Sequence, residues 1–283
     1  MFVATLLSTV LAVAPAVDTD TTFAAGDARR LDVESMGGEV VVHGWDRDEV
    51  RVVAEHSSRT VVEIRRSGRS LFIEPEGRSF PTVVDFEVWV PRTMDVSLEG
   101  FQSSLSVEGT TGEIEAETFQ GNVSIEGGSG SVQATSVSGR VTIRGASGEV
   151  IAEATSGSIV ISDSSGEIEA ESVGGSILME NIRATRVDAE TVGGRVEYSG
   201  SLAPGGDYYF GTHSGRVVLE LPQDAEADLR LTTLSGNVSV DHPGAAIERA
   251  SRGRSSVRLG NGGSRVEVES FSGRILVRES GRR

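Results

Sequence analysis

Residues 112–147 read as four consecutive nonapeptides, GEIEAETFQ (112–120), GNVSIEGGS (121–129), GSVQATSVS (130–138) and GRVTIRGAS (139–147), each opening with glycine. The nine-residue period continues through glycines at 148, 157, 166 and 175. After a one-residue insertion near Ala184 it resumes with Gly194. A fixed short period is typical of repeat proteins, in which each unit buries its apolar face only against its neighbours. The stretch therefore predicts a repeat architecture.

A longer period is contained in the short one. The fourth residue after each repeat start alternates between small and large: Ala116, Ile125, Ala134, Ile143, Ala152, Ile161, Ala170, Met179, Ala189 and Tyr198. If each 18-residue unit is one coil, all small residues lie on one face and all large ones on the facing one, which fills a narrow interior at constant volume. We predict an all-β fold, a β-solenoid with nine-residue half-coils and 18-residue coils. The alternative is an antiparallel meander, which would mix alanine and isoleucine along one sheet.

The repeat motif also predicts the conformation and hydrogen bonding of the turns. Glycine tolerates a positive φ angle, so we expect the repeat glycines to reverse the chain in that conformation. A serine often precedes the glycine, as at Ser129, Ser138, Ser147, Ser156 and Ser165. We expect these hydroxyls to hydrogen-bond to nearby backbone and to stack into a ladder.

The remaining chain divides around the regular repeat, which we place at residues 101–201. Residues 24–100 alternate with a period of two and contain many Val and Ile residues, the pattern of half-buried strands, so they are predicted to cap or start the solenoid. Residues 202–283 contain irregularly spaced copies of the phrase and are predicted to form irregular C-terminal coils. Residues 247–283 hold nine arginines against four glutamates, which predicts a basic end.

Composition excludes several classes of function. The chain has 283 residues, with 42 acidic against 26 basic residues and a formal net charge of −16. Nucleic acid and anionic lipid require cationic surface, so neither is expected as a partner. Because the chain has no cysteine and no lysine, thiol nucleophiles, thiolate metal sites and Schiff-base chemistry are also excluded.

The N-terminus indicates export. Residues 2–17, FVATLLSTVLAVAPAV, are apolar and uncharged. This run is shorter than the roughly 20 residues of a membrane-spanning helix, and it fits the apolar region of a signal peptide. We predict a signal peptide over residues 1–16, an exported protein in the periplasm, at the cell surface or secreted, and no transmembrane anchor. A buried N-terminal strand or helix is the alternative.

Candidate binding residues lie on the strands. The calcium-binding nonapeptide phrase, G-G-x-G-x-D-x-U-x, is absent, so no metal and no cofactor are predicted. Coils stacked about 4.8 Å apart would align Glu153, Glu171 and Glu190 in one column. The functional interpretation is an acidic face that binds a cation or a partner. The alternative is a solvated surface that maintains solubility.

Catalytic signals are weak. The four histidines show no metal-ligand spacing, and nothing in an exposed solenoid wall would shift the pKa of one carboxylate of a pair. The segment DYYFG (207–211) is the densest aromatic cluster. On a strand, Tyr208 and Phe210 would point into the core and Tyr209 outward. We therefore predict that the protein is not an enzyme.

The phrases GGEVVVHGW (37–45), DEVRVVAEH (48–56) and FEVWVP (86–91), with the recurring SGxVxV lines, carry a resemblance to a known family. They resemble the bacterial putative-adhesin family of unknown function, which is DUF4097-like and related to the toastrack domains of envelope-stress proteins. The resemblance covers about residues 24–280. It implies a secreted or envelope-associated β-solenoid and supplies no catalytic residue.

These observations give three functional hypotheses. The first is a non-catalytic exported or envelope-associated solenoid, adhesin-like, that presents a binding surface to a cell-surface glycan or an envelope protein and is a monomer. The second is a regulatory envelope-stress module that acts through a protein partner. The third is a polysaccharide-processing solenoid enzyme, which would need acidic and basic residues gathered in a cleft.

Overall fold

The computed structural model describes residues 16–77, 80–251 and 253–281. Of the predicted signal peptide, residues 1–15 lie outside this part, and Ala16 begins the first strand. The described residues form strands and turns without a helix, and so contain no helix long and apolar enough to cross a membrane.

The strands follow one another along the chain in three groups. The N-terminal group is β1 (Ala16–Ala24), β2 (Arg30–Trp45), β3 (Glu49–Ser57), β4 (Thr60–Ser67), β5 (Ser70–Gly77), β6 (Val84–Pro91) and β7 (Asp95–Glu108). The regular repeat supplies β8 (Ile114–Thr118), β9 (Val123–Glu126), β10 (Ser131–Ser136), β11 (Val141–Arg144), β12 (Ser147–Ala154), β13 (Ile159–Ser162), β14 (Ser165–Ser172), β15 (Ile177–Thr191) and β16 (Val196–Gly200). The C-terminal group is β17 (Asp207–Thr212), β18 (Arg216–Leu221), β19 (Ala227–Thr233), β20 (Asn237–Asp241), β21 (Ala245–Ser251), β22 (Arg254–Leu259), β23 (Ser264–Ser270) and β24 (Arg274–Glu279).

Each regular coil contributes one strand to each of two faces. Face A contains β8, β10, β12 and β14 in parallel order, and face B contains β9, β11 and β13. Three long strands, β2, β7 and β15, continue round a corner from one face to the other and so join the two faces into one sheet.

The pairing confirms the 18-residue coil. Ala134 is paired in register with Ala116 and Ala152, whereas Ile143 is paired with Ile125 and Ile161. Ala134, Ala152, Ile143 and Ile161 are fully buried. Because all these pairings are parallel, the antiparallel meander is excluded, and the fold is the predicted β-solenoid.

The predicted insertion near Ala184 is also present. Gly166 pairs with Ala184, but Glu167 pairs with Arg186, so Thr185 is left as a bulge in β15. Beyond the bulge the register resumes, with Ala170 opposite Ala189. One extra residue is therefore absorbed at a turn without disturbing the alternation in the core.

The coil order changes near the C-terminus. Strand β23 lies between β17 and β19, and β24 lies between β18 and β20. The last coil of the chain is thus inserted between two earlier ones, and the antiparallel hairpin β21–β22 extends face A beyond β19. The arginines of the predicted basic end are divided accordingly: Arg249, Arg254 and Arg258 lie on the hairpin, whereas Arg265, Arg274 and Arg278 lie on the inserted coil.

The reason for the repeat glycines differs from the prediction. Among the repeat glycines φ is positive at Gly121, Gly148 and Gly166, but not at Gly139, Gly157 or Gly175. A Cβ atom on the last three would lie 1.6–1.8 Å from the carbonyl oxygen of the glycine one coil earlier. A positive φ is therefore the wrong explanation for Gly139, Gly157 and Gly175. Glycine is required because the backbones of successive turns touch.

The hydroxyl ladder lies three residues before the turn glycine rather than one. The Ser136 hydroxyl donates to the Gly121 carbonyl and accepts from the Gly139 N–H, both at 2.8 Å. Ser172 and Thr191 repeat this pattern on later coils. Of the serines that directly precede a glycine, Ser129 and Ser147 donate to the backbone of the preceding coil.

Neighbouring glycines offer a matched test of the turn contact. A Cβ on Gly175 would lie 1.8 Å from the Gly157 oxygen, whereas a Cβ on Gly174 would meet nothing closer than 3.5 Å. We expect Gly175→Ala to lower the free energy of unfolding by about 1–3 kcal/mol or more, and Gly174→Ala to change it by no more than about 0.5 kcal/mol. Urea unfolding measures both, and equal losses would contradict the turn contact.

The core alternation predicts coupling between faces. Ala134→Ile overfills the closed interior, which destabilises by about 1–3 kcal/mol, and Ile143→Ala opens a cavity, which destabilises by about 2–5 kcal/mol. The double variant nearly conserves volume, so we expect it to be milder than the sum of the single losses. Denaturant unfolding of the four proteins measures the coupling, and strict additivity would show that the two side chains do not share space.

Candidate functional site

The predicted acidic residues form one column on face A. Glu171 is paired in register with Glu153 on one side and Glu190 on the other, so the three carboxylates project outward from successive coils about 4.8 Å apart. The column extends along the whole stack in the order Glu34, Glu99, Glu117, Thr135, Glu153, Glu171, Glu190, Gly211, Glu269 and Thr232. We call this set the carboxylate column.

A row of apolar side chains runs beside the carboxylate column. It occupies the first turn of each coil, between the face A strand and the face B strand, and backbone hydrogen bonds link the turns of successive coils. Its members, here called the apolar row, are Phe101, Phe119, Val137, Thr155, Val173, Val192, His213, Phe271 and Leu234. Val173, Phe271 and Leu234 are 55%, 50% and 73% exposed, so the row faces solvent.

The column and the row are the two walls of a groove. Between Thr135 and Leu234 the groove has a volume of about 610 Å³. Its floor contains the side chains at the ends of the face A strands, including the buried hydroxyls of Ser136, Ser172 and Thr191. Those hydroxyls are held by the hydrogen bonds of the turn ladder, so the floor of the groove is rigid. The carboxylate column and the apolar row lie on its two sides.

Tyr209 fills a gap in the column. Gly211 occupies the column position after Glu190, and a Cβ there would lie 3.1 Å from the Tyr209 ring. The Tyr209 hydroxyl hydrogen-bonds to the Glu190 carboxylate. Tyr208 and Phe210 are buried in the core, as the alternation of DYYFG predicted, and Tyr209 is the member that reaches the groove.

The aromatic part of the apolar row is ordered by stacking. The His213 and Phe271 rings lie parallel with centroids 4.6 Å apart. Phe101 and Phe119 stack in the same way at 5.5 Å near the other end of the row. Solvent-exposed apolar rows of this length are characteristic of interaction surfaces, since scattered single residues are the normal pattern elsewhere.

The carboxylates in and beside the groove repel one another. Partial burial and the neighbouring carboxylates Glu169, Glu153 and Glu190 raise the pKa of Glu171 above its ordinary value. Burial, with Glu190 and Glu169, also raises the pKa of Asp188. Four glutamates line the groove, and the described lining residues include no arginine. The arrangement therefore favours a ligand that brings positive charge.

Metal binding is not indicated by side-chain geometry. No group of three or more His, Asp and Glu side chains in the described part of the chain is placed to hold a metal ion. The carboxylates of the column stand side by side and do not converge on a common point. A cation at this surface would be held by the field of the column and not by a set of coordinating side chains.

The apolar row was missed in the sequence interpretation, although it has a signal there. The residue two positions before every second repeat glycine is Phe119, Val137, Thr155 or Val173, so it is apolar at three coils out of four. This 18-residue signal was obscured because each member stands next to a polar residue or glycine at the turn.

Solved structures of proteins from other bacteria are similar to this one. The structure is similar to the crystal structure of a putative adhesin from Parabacteroides distasonis, with a TM-score of 0.52 and 13% identity, over 93% of this chain and 97% of that chain. A putative adhesin from Parabacteroides merdae has a TM-score of 0.48 and 9% identity, over 92% of this chain and 95% of that chain. One from Bacteroides fragilis has a TM-score of 0.43 and 12% identity, over 92% and 97%. At these identities the likeness concerns the fold alone.

No curated protein matches the sequence significantly. A family model does, and it is described as Toastrack DUF4097. It matches residues 28–278, a range that includes the described coils of the repeat, the inserted last coil and both walls of the groove. The chain therefore belongs to the Toastrack DUF4097 family.

Proposed function

We propose that this chain is an exported, non-catalytic, adhesin-like protein of the cell envelope, and that it uses the groove to bind a basic and apolar segment of a protein partner. The observation that carries the proposal is the parallel course of the carboxylate column and the apolar row along the same edge of the solenoid. Family membership and the similarity to proteins named putative adhesins support a binding role.

Charge selects the kind of partner. The groove presents Glu153, Glu171, Glu190 and Glu269, and the whole chain has a formal net charge of −16. A second copy of the chain or an anionic polymer would be repelled, whereas arginine and lysine side chains would relieve the repulsion within the column. The partner segment is therefore basic on the side that meets the column.

Spacing selects the shape of the segment. Successive carboxylates are about 4.8 Å apart, and one turn of an α-helix rises about 5.4 Å. A helix laid along the groove keeps its basic residues opposite the column over several coils. An extended strand presents same-side residues only about every 6.7 Å and loses register sooner. An amphipathic helix with one basic and one apolar face fits both walls.

The predicted signal peptide supports export, and its removal is compatible with the fold. The described fold begins with β1 at Ala16, and β1 is paired with β3 along its whole length. Removal of the predicted signal peptide would leave that strand nearly complete. A binding protein of the envelope must cross the inner membrane, so the predicted leader and the exposed binding edge agree with each other.

A catalytic function is less well supported. A polysaccharide-processing enzyme needs an acid and a base in defined geometry, usually with cationic groups that hold acidic sugars. The described lining of the groove supplies glutamates at regular spacing and no arginine. A surface repeated from coil to coil suits an elongated ligand better than one scissile bond.

The binding test uses a designed peptide that carries lysines on one helical face and leucines on the adjacent face. We expect Glu153→Gln, Glu171→Gln and Glu190→Gln together to weaken its binding by about threefold to a hundredfold, because exposed ion pairs contribute about 0.2–1 kcal/mol each. Titration calorimetry measures the loss, and added salt is expected to weaken binding to the unmodified chain.

The matched control removes the same charge elsewhere on face A. Glu113→Gln, Glu149→Gln and Glu167→Gln together change three exposed carboxylates near the starts of the face A strands β8, β12 and β14, outside the groove. Equal losses of peptide affinity in the two triple variants would show that binding depends on net charge alone. That result would contradict the proposal that the peptide binds in the groove. Recovery of the protein only from the cytoplasm would contradict export.

The acidic column is also expected to lower stability at neutral pH. The pKa of Glu171 is raised in the folded state. Its carboxyl group therefore contributes most to folding stability at pH values below its ordinary pKa of 4.5, and this contribution is lost as the pH rises through the folded-state pKa. We expect Glu171→Gln to raise the melting temperature at pH 7 and to leave it unchanged well below pH 4.5. Thermal unfolding across pH measures this, with Glu167→Gln as the control, and a pH-independent difference would contradict it.

A further inference from the structure

The second edge of the solenoid carries a different surface, formed where the face B strands end. Glycines lie in register at this edge on successive coils: Gly44 near the end of β2, and Gly109, Gly127 and Gly145 in the turns that follow the face B strands. Backbone hydrogen bonds link Gly109 to Glu126, Gly127 to Arg144 and Gly145 to Ser162, so the turns are stacked in register. The result is a strip of glycine backbone along the solenoid axis, and the Arg92 guanidinium donates to its Gly109 carbonyl.

The floor of this strip is bare for two reasons. A Cβ on Gly44 would lie 2.2 Å from the Gly109 oxygen, so the two backbones touch there. Gly109, Gly127 and Gly145 have φ angles of 73°, 104° and 69°, which favour glycine. In the next two coils Asp163 and Asn181 take the same conformation with φ of 54°, and their side chains hydrogen-bond to each other and close the strip.

Both tryptophans of the chain lie at the open end of the glycine strip. Trp45 and Trp89 lie on the outer surface with ring centroids 6.3 Å apart, and both are partly exposed. The Arg51 guanidinium and the His43 ring flank Trp89 at 5.0 Å and 5.2 Å. Trp45 is fixed by an Nε1–H hydrogen bond to the Glu49 carbonyl, and one of its faces is covered only by the exposed side chain of Arg47.

Charge along this surface is balanced. Asp46, Glu108 and Glu126 face Arg47, Arg92 and Arg144 around the same depression. The groove of the first edge, by contrast, has four glutamates and no arginine among its described lining residues. In a chain of net charge −16, a neutral surface that offers carboxylate acceptors beside guanidinium donors matches a ligand that is itself uncharged and rich in donors and acceptors.

We infer that this strip, the tryptophan trough (Gly44, Trp45, Trp89, Gly109, Gly127 and Gly145), is a binding site for a neutral oligosaccharide. Trp45 stacks on the apolar face of one sugar ring, and the glycine floor lets the following rings approach the backbone closely. The flanking carboxylates and guanidinium groups bind the hydroxyls. The glycine positions span three coil spacings, about 14 Å, which suits a short linear chain of rings. This site is independent of the groove and of the function proposed for it.

The chain supplies its own reporter for the test. Because Trp45 and Trp89 are its two tryptophans, intrinsic tryptophan fluorescence reports on the trough alone. The titration uses linear neutral oligomers of glucose, of mannose and of N-acetylglucosamine, with a uronic-acid oligomer as the charged comparison. We expect at least one neutral oligomer to shift the emission and the uronic-acid oligomer to leave it unchanged.

Two variants separate binding from folding. Trp45→Ala removes the stacking platform, and we expect it to weaken binding at least tenfold in calorimetry. Gly145→Asn fills the floor with a residue that the same turn position already accepts at Asn181, so we expect a folded protein with both tryptophans in place and at least tenfold weaker binding.

The triple glutamine variant of Glu153, Glu171 and Glu190 is the control, since it alters the other edge and should bind the oligosaccharide normally. Three results would overturn the inference: no neutral oligomer shifts the tryptophan emission, Gly145→Asn binds as well as the unmodified chain, or the uronic-acid oligomer binds best. The last result would assign the trough to an anionic ligand. Loss of peptide binding by the groove leaves the outcome for the trough unaffected.

Discussion

The structure depends on the contact between the backbones of successive turns at the first edge. At Gly139, Gly157, Gly175 and Gly194 the position of a Cβ atom lies within 1.8 Å of a carbonyl oxygen in the coil before. A contact this close allows one register only, and buried hydroxyls such as Ser172 lock it by bonding to both turns. Once the register is fixed at the turn, every residue of the coil lies above its counterpart 18 positions earlier.

A fixed register converts single residue choices into continuous surfaces. Inside, it places Ala134 against Ala116 and Ala152 and thereby keeps the small layer opposite the large one. Where the core widens toward the C-terminal coils, Ala189 is followed by Phe210 on the same face. Outside, the same rule generates the carboxylate column and the apolar row. The 18-residue period that sets the register of the core thus also sets the spacing of the surface groups that a ligand at either edge would contact.

Much of this could be predicted from the sequence, because a strict period specifies neighbours directly. The alternation of Ala134 and Ile143 indicated the two faces, and the spacing of Glu153 and Glu171 indicated one column. The inserted last coil could not be predicted, since the phrases that contain Gly215, Gly236 and Gly273 are nearly equivalent and do not specify a stacking order. The trough was missed for a related reason: Trp45 and Trp89 lie on β2 and β6, and their parallel pairing follows no repeat.

The two edges show how one scaffold can present ligand surfaces of opposite character. The first edge concentrates carboxylates, and partial burial together with the neighbouring carboxylates raises the pKa of Glu171, so this edge retains charge at the expense of stability. A solenoid tolerates this because each coil is supported by its own turn contact and buried core, and the repulsion is shared among exposed side chains. On the second edge Asp46 and Arg92 pair directly, and charge is neutralised locally. Since neither surface contributes side chains to the core, each can change in sequence without affecting the register. Turn glycines such as Gly175, by contrast, cannot gain a side chain without displacing the turn of the coil before them.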